Sequence, residues 1–526
     1  MTLTLLYLWL FAGALLAWFS GRFNKNAPRV VAFGFMIVHL VGVVVLWSGF
    51  PALQAQSGQG DWLLSLSLPW IPQLGIRYSL ALDGLSLLLI LLTAFLGLLS
   101  VAASWKGITE KTGFFYFNLL WILGAIVGVF LAVDLFLFYF FWEMMLIPLY
   151  FLIGIWGHEN RTYATLKFFI FTQAGGLFML LAFVALYLIH GANTGFYTFE
   201  YTELLGTRIG PEIAFWLMLG LFVAFAVKLP MVPLHTWLPD AHTEAPTAGS
   251  VVLAGLVLKA GAYGMIRFMV PLFSQATFDF SLIAMVLGVI SILYGAIVAF
   301  GQTDLKRLVA YTSVSHMGFV LLGIFAWNEI ALQGALIIVL AHGLSTGALF
   351  ILVGAIQERL HTREMGKMGG IWGVAPRMSG WALFFALASL GLPGMANFVG
   401  EFLVLLGLFQ VNLPIAVVAT FGFVVASIYS LWIIQKAFHG ENENKLKLAD
   451  FDKREVAVMA SLGLIILWLG LFPQMVFNTS RSALDNLRIK VEKMLGEPQK
   501  ETVERKQSDT MPTISGLTEE VKRELR

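Results

Sequence analysis

The sequence has 526 residues, of which 59% are hydrophobic and only 12% charged, about half the charged share of an ordinary globular chain. Its net charge of +2 says little where charges are sorted by membrane side, and its lack of cysteine excludes a disulfide framework, a thiolate-held metal and an iron–sulfur cluster. No dinucleotide fingerprint or phosphate loop occurs and no nucleic-acid partner is expected, so associated redox chemistry has to take place on other chains.

Apolar stretches recur almost end to end and predict an all-α polytopic membrane protein with about fourteen transmembrane helices. In chain order they fall near 3–20, 30–48, 79–103, 114–132, 135–156, 163–190, 212–242, 247–272, 280–301, 306–325, 330–357, 380–411, 413–438 and 455–477. Leu3 to Ser20 has no preceding basic residue and no clear small-residue cleavage site, and reads as a permanent span rather than a signal peptide. A polar loop with glycines is expected over Gly49–Tyr78, and a charged tail from Asn478.

Lysines and arginines concentrate in the odd-numbered loops, among them Arg22, Lys106, Lys167, Lys306, Arg363, Lys436 and Arg454, whereas the even side holds Arg77, Arg208 and Arg267. The positive-inside rule then puts the odd loops in the cytoplasm and the N-terminus outside. The basic residues of the tail strain this count, because fourteen spans leave the tail outside too.

Ionisable residues inside spans cost about 2.5–3.5 kcal/mol each on insertion scales and mark ion or proton pathways. Glu143 follows Asp134 by nine residues, roughly 13 Å of helix, which places it near mid-membrane. Lys259 is central in its span, Lys228 and Glu401 lie in the inner parts of theirs, and His316 and His342 are central in the tenth and eleventh. The plain alternative is a packing pair for Glu143 and Lys228. Hydrogen-bonded core roles are equally open to the two histidines, with Ser313, Ser315 and Ser345 near in sequence. His39 reads as packing.

Two spans carry helix breakers. In the seventh, Pro230 follows Lys228 by two residues and removes a hydrogen bond to the Ala226 carbonyl. In the twelfth, Gly391-Leu-Pro-Gly394 places Pro393 and Gly394 shortly before Glu401. Paired interrupted spans in two halves of a chain are the pattern of a transporter's ion site. Topology suggests N-terminal spans 1–3 (1–113), a five-helix repeat of spans 4–8 (114–272), an inverted second repeat of spans 9–13 (280–438), a final span (455–477) and a polar tail (478–526). Each repeat has one discontinuous helix, in its fourth member, and an odd helix number inverts the second copy.

Several segments carry a family resemblance: Ala81-Leu-Asp-Gly-Leu-Ser86, Phe140-Phe-Trp-Glu-Met-Met145, Phe225-Ala-Val-Lys-Leu-Pro230, Pro233-Leu-His-Thr-Trp-Leu-Pro-Asp-Ala-His242, Ala310-Tyr-Thr-Ser-Val-Ser-His-Met-Gly318 and Asn397-Phe-Val-Gly-Glu-Phe402. Through them the chain resembles the antiporter-like membrane subunits of proton-pumping NADH:quinone oxidoreductase, respiratory complex I, and of multisubunit sodium/proton antiporters. The resemblance implies that Glu143 and Lys228 form a coupled pair beside a broken helix. It implies also that Lys259 is the central relay, and that His316 and His342 line the same polar axis. A glutamate at Glu401, where close paralogues usually carry lysine, favours complex I. On that reading the chain holds no cofactor, FMN and iron–sulfur clusters sit on partner subunits, and its neighbours are other antiporter-like chains in a bacterial inner (plasma) membrane. The competing expectation is a subunit of a sodium/proton antiporter.

Overall fold

The structure, a computed structural model, describes residues 2–57 and 61–495. The predicted tail from 496 onward lies outside the described residues. Thirteen helices among the described residues are long and apolar enough to cross a membrane. They are span 1 (Thr2–Ser20), span 2 (Ala27–Ser48), span 3 (Gly84–Ala103), span 4 (Thr112–Leu131), span 5 (Leu135–Trp156), span 6 (Arg161–Thr194) and the first half of span 7 (Pro211–Lys228). Then follow span 8 (Thr247–Leu272), span 9 (Ser274–Phe300), span 10 (Leu305–Phe325), span 11 (Glu329–Leu360), span 13 (Leu413–Phe438) and span 14 (Lys453–Leu471). Span 12 is divided into Pro376–Ser389 and Ala396–Val411, so every apolar run of the sequence forms helix over most of its length.

Burial sorts these helices into layers. The apolar windows of spans 8 and 11 are 100% buried, whereas those of spans 1, 2 and 14 are 33%, 22% and 33% buried. Spans 8 and 11 are therefore the enclosed axis of the molecule. A polar group on them must find its partner within the protein, because hydrocarbon offers none.

Two stretches read as irregular are structured. Within the expected loop, Phe50–Ser57 is helical and β1 (Leu64–Ile71) pairs antiparallel with β2 (Ile76–Leu82), Leu64 opposite Leu82 and Ser67 opposite Ser79. The hairpin moves the start of span 3 from residue 79 to Gly84, where Asp83 caps the helix by accepting from the Ser86 N–H at 2.9 Å.

The expected tail begins as a helix, Gln474–Leu495, which buries Val476, Ala483, Leu484, Leu487 and Val491. Trp47 Nε1 donates to Thr479 Oγ1 at 3.1 Å, Lys490 pairs with Asp61 at 2.8 Å, and Arg488 reaches Glu329 at 3.4 Å. Two basic residues of this helix, Arg488 and Lys490, thus have acidic partners elsewhere in the protein.

Candidate functional site

Span 5 is irregular at Met145, three residues before Pro148, which cannot donate to the Met144 carbonyl. Glu143 precedes this irregularity and is half-buried, with Gln173 beside its carboxylate. Gly176 of span 6 makes its space, since a Cβ there would lie 2.1 Å from Glu143 Oε1. Lys228 ends the first half of span 7 and is 1% exposed. Its ammonium lies 5.3 Å from the centroid of Trp142 and 5.8 Å from that of Phe168, cation–π contacts that offset part of the cost of burial. Glu143 and Lys228 are within electrostatic reach of each other but form no direct ion pair.

The break after Lys228 covers residues 229–236, and protein groups satisfy its backbone as depth in a membrane requires. The Ala226 carbonyl, freed by Pro230, accepts from Met231 N–H at 3.0 Å; Trp237 Nε1 donates to the Val227 carbonyl at 2.9 Å, and Val232 N–H to Ser291 Oγ at 3.0 Å. The helix resumes as Trp237–Glu244. On this basic side Asp240 holds Lys167 at 2.7 Å and Arg307 at 3.1 Å, while Arg363 reaches Glu244 at 3.6 Å and Asp304 at 3.0 Å. Three ion pairs therefore tie the second half of span 7 to its surroundings, and Asp304 holds one of the partners, Arg363, in turn.

Lys259 lies between two π-helical turns of span 8, Leu253–Val257 and Met265–Met269, a local widening frequent at functional sites. Fully enclosed, its Nζ donates to the Ala254 carbonyl at 2.7 Å and lies 2.6 Å from His342 Nδ1. Two residues on, a Cβ at Gly261 would stand 2.7 Å from the Phe225 carbonyl oxygen and 2.9 Å from Leu229 N. Span 8 thus rests directly on the helix end that carries Lys228.

The polar line continues through span 11 to span 10. The rings of His342 and His316 are 5.6 Å apart, and His316 Nδ1 lies 2.8 Å from Glu401 Oε1. His316 Nε2 is shared by Ser389 Oγ at 3.3 Å and the Tyr429 hydroxyl at 3.2 Å. Ser389 ends the first half of span 12 and Glu401 lies on the second, so the second break brackets the imidazole. Gly391 and Gly394 carry φ of +81° and +93°, which only glycine adopts without strain. A Cβ on Gly391 would also come within 3.2 Å of Glu401 Oε2, an oxygen that has no partner.

Of the six ionisable residues singled out from sequence, Lys259, His342, His316 and Glu401 form one buried series, and Glu143 with Lys228 forms a second group adjoining it. Ser389 and Tyr429 were missed, as small or aromatic residues without a sequence signal. His235 and His242, both buried with unpartnered ring nitrogens, were visible within the quoted Pro233–His242 segment. The described residues hold no group of three or more histidine, aspartate and glutamate side chains arranged for a metal.

Residues 132–427 match the NADH:quinone oxidoreductase/Mrp antiporter transmembrane family. NADH-quinone oxidoreductase subunit M of Pseudomonas aeruginosa is 51% identical over 486 residues, 91% of this chain and 96% of that protein. The Escherichia coli K12 protein of the same name is 50% identical over 487 residues, again 91% and 96%. A chain of respiratory complex I from Thermus thermophilus superposes with a TM-score of 0.84 at 31% identity, covering 94% of this chain and all (100%) of that one. A chain of the Mrp complex from Dietzia gives a TM-score of 0.80 at 21% identity over 94% of this chain and 100% of that one, a likeness of fold alone. The chain belongs to the NADH:quinone oxidoreductase/Mrp antiporter transmembrane family.

Proposed function

We propose that the chain is a proton-translocating membrane subunit of a respiratory NADH:quinone oxidoreductase. It works beside other membrane subunits of that complex in a bacterial inner membrane, with the flavin and iron–sulfur chemistry on partner chains. The observation that carries the reading is the buried series Lys259–His342–His316–Glu401, which runs from the first helix break to the second. Relatives named as complex I subunits at 50% and 51% identity support it over the antiporter alternative, which has fold likeness on its side.

A carboxylate near an ammonium favours the charged pair, and moving them apart releases that hold. Glu143 and Lys228, close but not bonded, are placed to be driven between those two states by the quinone reaction elsewhere in the complex. A proton released from Lys228 passes to Lys259, whose amine faces His342 Nδ1. It leaves the His342 ring at Nε2, which has no other partner, crosses to His316, and reaches Glu401. The unpartnered Glu401 Oε2 beside Gly391 is the release point. On this reading the basic side is cytoplasmic, the N-terminus is external, and spans 4–8 and 9–13 are inverted repeats, each supplying one broken helix.

The test is proton pumping per NADH oxidised in vesicles bearing the assembled complex. Glu143→Ala, Lys228→Ala and Lys259→Ala should assemble and oxidise NADH with an artificial acceptor as the parent does, yet lose most pumping. Normal pumping by all three would make the groups structural and end the proposal.

A further inference from the structure

A seam between spans 8 and 11 leads from the basic surface to the Lys259–His342 pair, and glycines bring its walls together. A Cβ on Gly343 would lie 3.0 Å from the Gly255 carbonyl oxygen, one on Gly347 3.7 Å from Val251 Cγ1, and one on Gly354 2.2 Å from Thr247 Oγ1. The pairs 343/255, 347/251 and 354/247 run in opposite directions along the two helices, so the seam is antiparallel and continuous. Its outer end opens into a cavity of about 20 Å³ lined by Thr247, Ile351, Ala355, Glu358, Arg454 and Glu455, among others, enough room for a water molecule. Glu358 stands at the mouth, exposed and without a direct hydrogen bond or ion pair. Halfway in, Thr346 is fully buried and its hydroxyl has no partner. A helical threonine ordinarily bonds back to its own helix, so this hydroxyl remains available. Thr346 is three residues from Gly343 and adjoins Gly347, both of which meet span 8, and it is one helical turn, roughly 6 Å, from His342.

Resting on the reading above, we propose that this seam is the proton-uptake route of the chain, with Glu358 as the surface acceptor and Thr346 as the internal relay to the Lys259–His342 pair. Glu358 takes a proton from bulk water and passes it to water in the cavity. The Thr346 hydroxyl accepts one proton and gives up its own, so its bonding is unchanged after each passage, and the proton reaches the Lys259–His342 pair, from which Lys228 is reloaded before its next release. Lys106, Arg359, Arg454 and Glu455 lie around Glu358.

Three variants test the route in the assembled complex, with Lys259→Ala as the reference. Thr346→Val keeps shape and burial but cannot relay. Ala355→Leu fills the cavity. Glu358→Gln removes the acceptor at the surface. Pumping per NADH should fall at least fivefold in Thr346→Val and Ala355→Leu, and in Glu358→Gln it should fall most above neutral pH, where protons are scarce. The solvent deuterium isotope effect on pumping should rise in Thr346→Val, a change that lost packing would not produce. If Ala355→Leu fails to assemble, the other two variants decide. Normal pumping in Thr346→Val and Glu358→Gln while Lys259→Ala is inactive overturns the uptake route and leaves the relay standing; normal pumping in Lys259→Ala overturns both.

Discussion

Glu401 gives one oxygen to His316 and keeps the other free, and the comparison that tests it sets titration against charge. Glutamine preserves shape and hydrogen bonds but cannot titrate, whereas lysine reverses the charge and still exchanges a proton. Glu401→Lys should therefore keep part of the pumping and Glu401→Gln almost none, with assembly checked on a native gel. The reverse order would show that a fixed negative charge is what matters. A second prediction concerns Glu200, outside the spans, where burial pushes the carboxyl up to about 7 despite a 3.0 Å bond from Ser79. Its folded form keeps a proton that the unfolded chain loses, so stability falls as pH rises from about 4.5 to 7. Glu200→Gln should gain a few degrees in Tm over the parent at pH 8 and little at pH 5, and an equal gain at both would remove burial as the cause. At this scale the ionisable groups were legible in the sequence, because lysine or glutamate in an apolar run has no inexpensive explanation. Their uncharged partners were not: Ser389, Tyr429 and the Ala254 carbonyl become partners only through the path of the chain in space.

Among elements, the second break depends on glycine more than on proline. Gly391 combines a positive φ with the approach to Glu401 Oε2, so Gly391→Ala should cost about 1–2 kcal/mol of stability from backbone strain alone. It should also reduce pumping severalfold by displacing the carboxylate, while Pro393→Ala should do less of both. Parent-like melting and pumping in Gly391→Ala would count against this account of the break. Spans and breaks were legible because run length and proline or glycine are local signals. The hairpin had its own signal in the strict alternation Leu64-Ser-Leu-Ser-Leu68, masked by its place in a polar stretch between long apolar runs. The helix Gln474–Leu495 likewise repeats apolar residues at Val476, Ala483, Leu487 and Val491, spaced seven, four and four apart, under a density of charge that reads as a tail. The π-helical turns around Lys259 left no trace in composition, because they reflect how span 8 is held by its neighbours.

For the whole molecule the first question is orientation. Reporter tags after Lys106 and Lys445 should read cytoplasmic and one near Ser57 external; a cytoplasmic result at Ser57 would break the fourteen-span count. The second concerns the direction of the buried series. Lys259, His342 and His316 each lie near the middle of their helices, so the line they form runs across the protein, in the plane of the membrane. A proton moving along it changes depth little, and it therefore does little work against a transmembrane voltage worth about 2.3 kcal/mol per charge at 100 mV. On the proposed route the electrical work is confined to the two vertical legs, from the basic surface to Lys259 and from Glu401 to the opposite surface. Imposed voltage should then slow loading and release, and leave exchange among the mid-depth groups at its own pace.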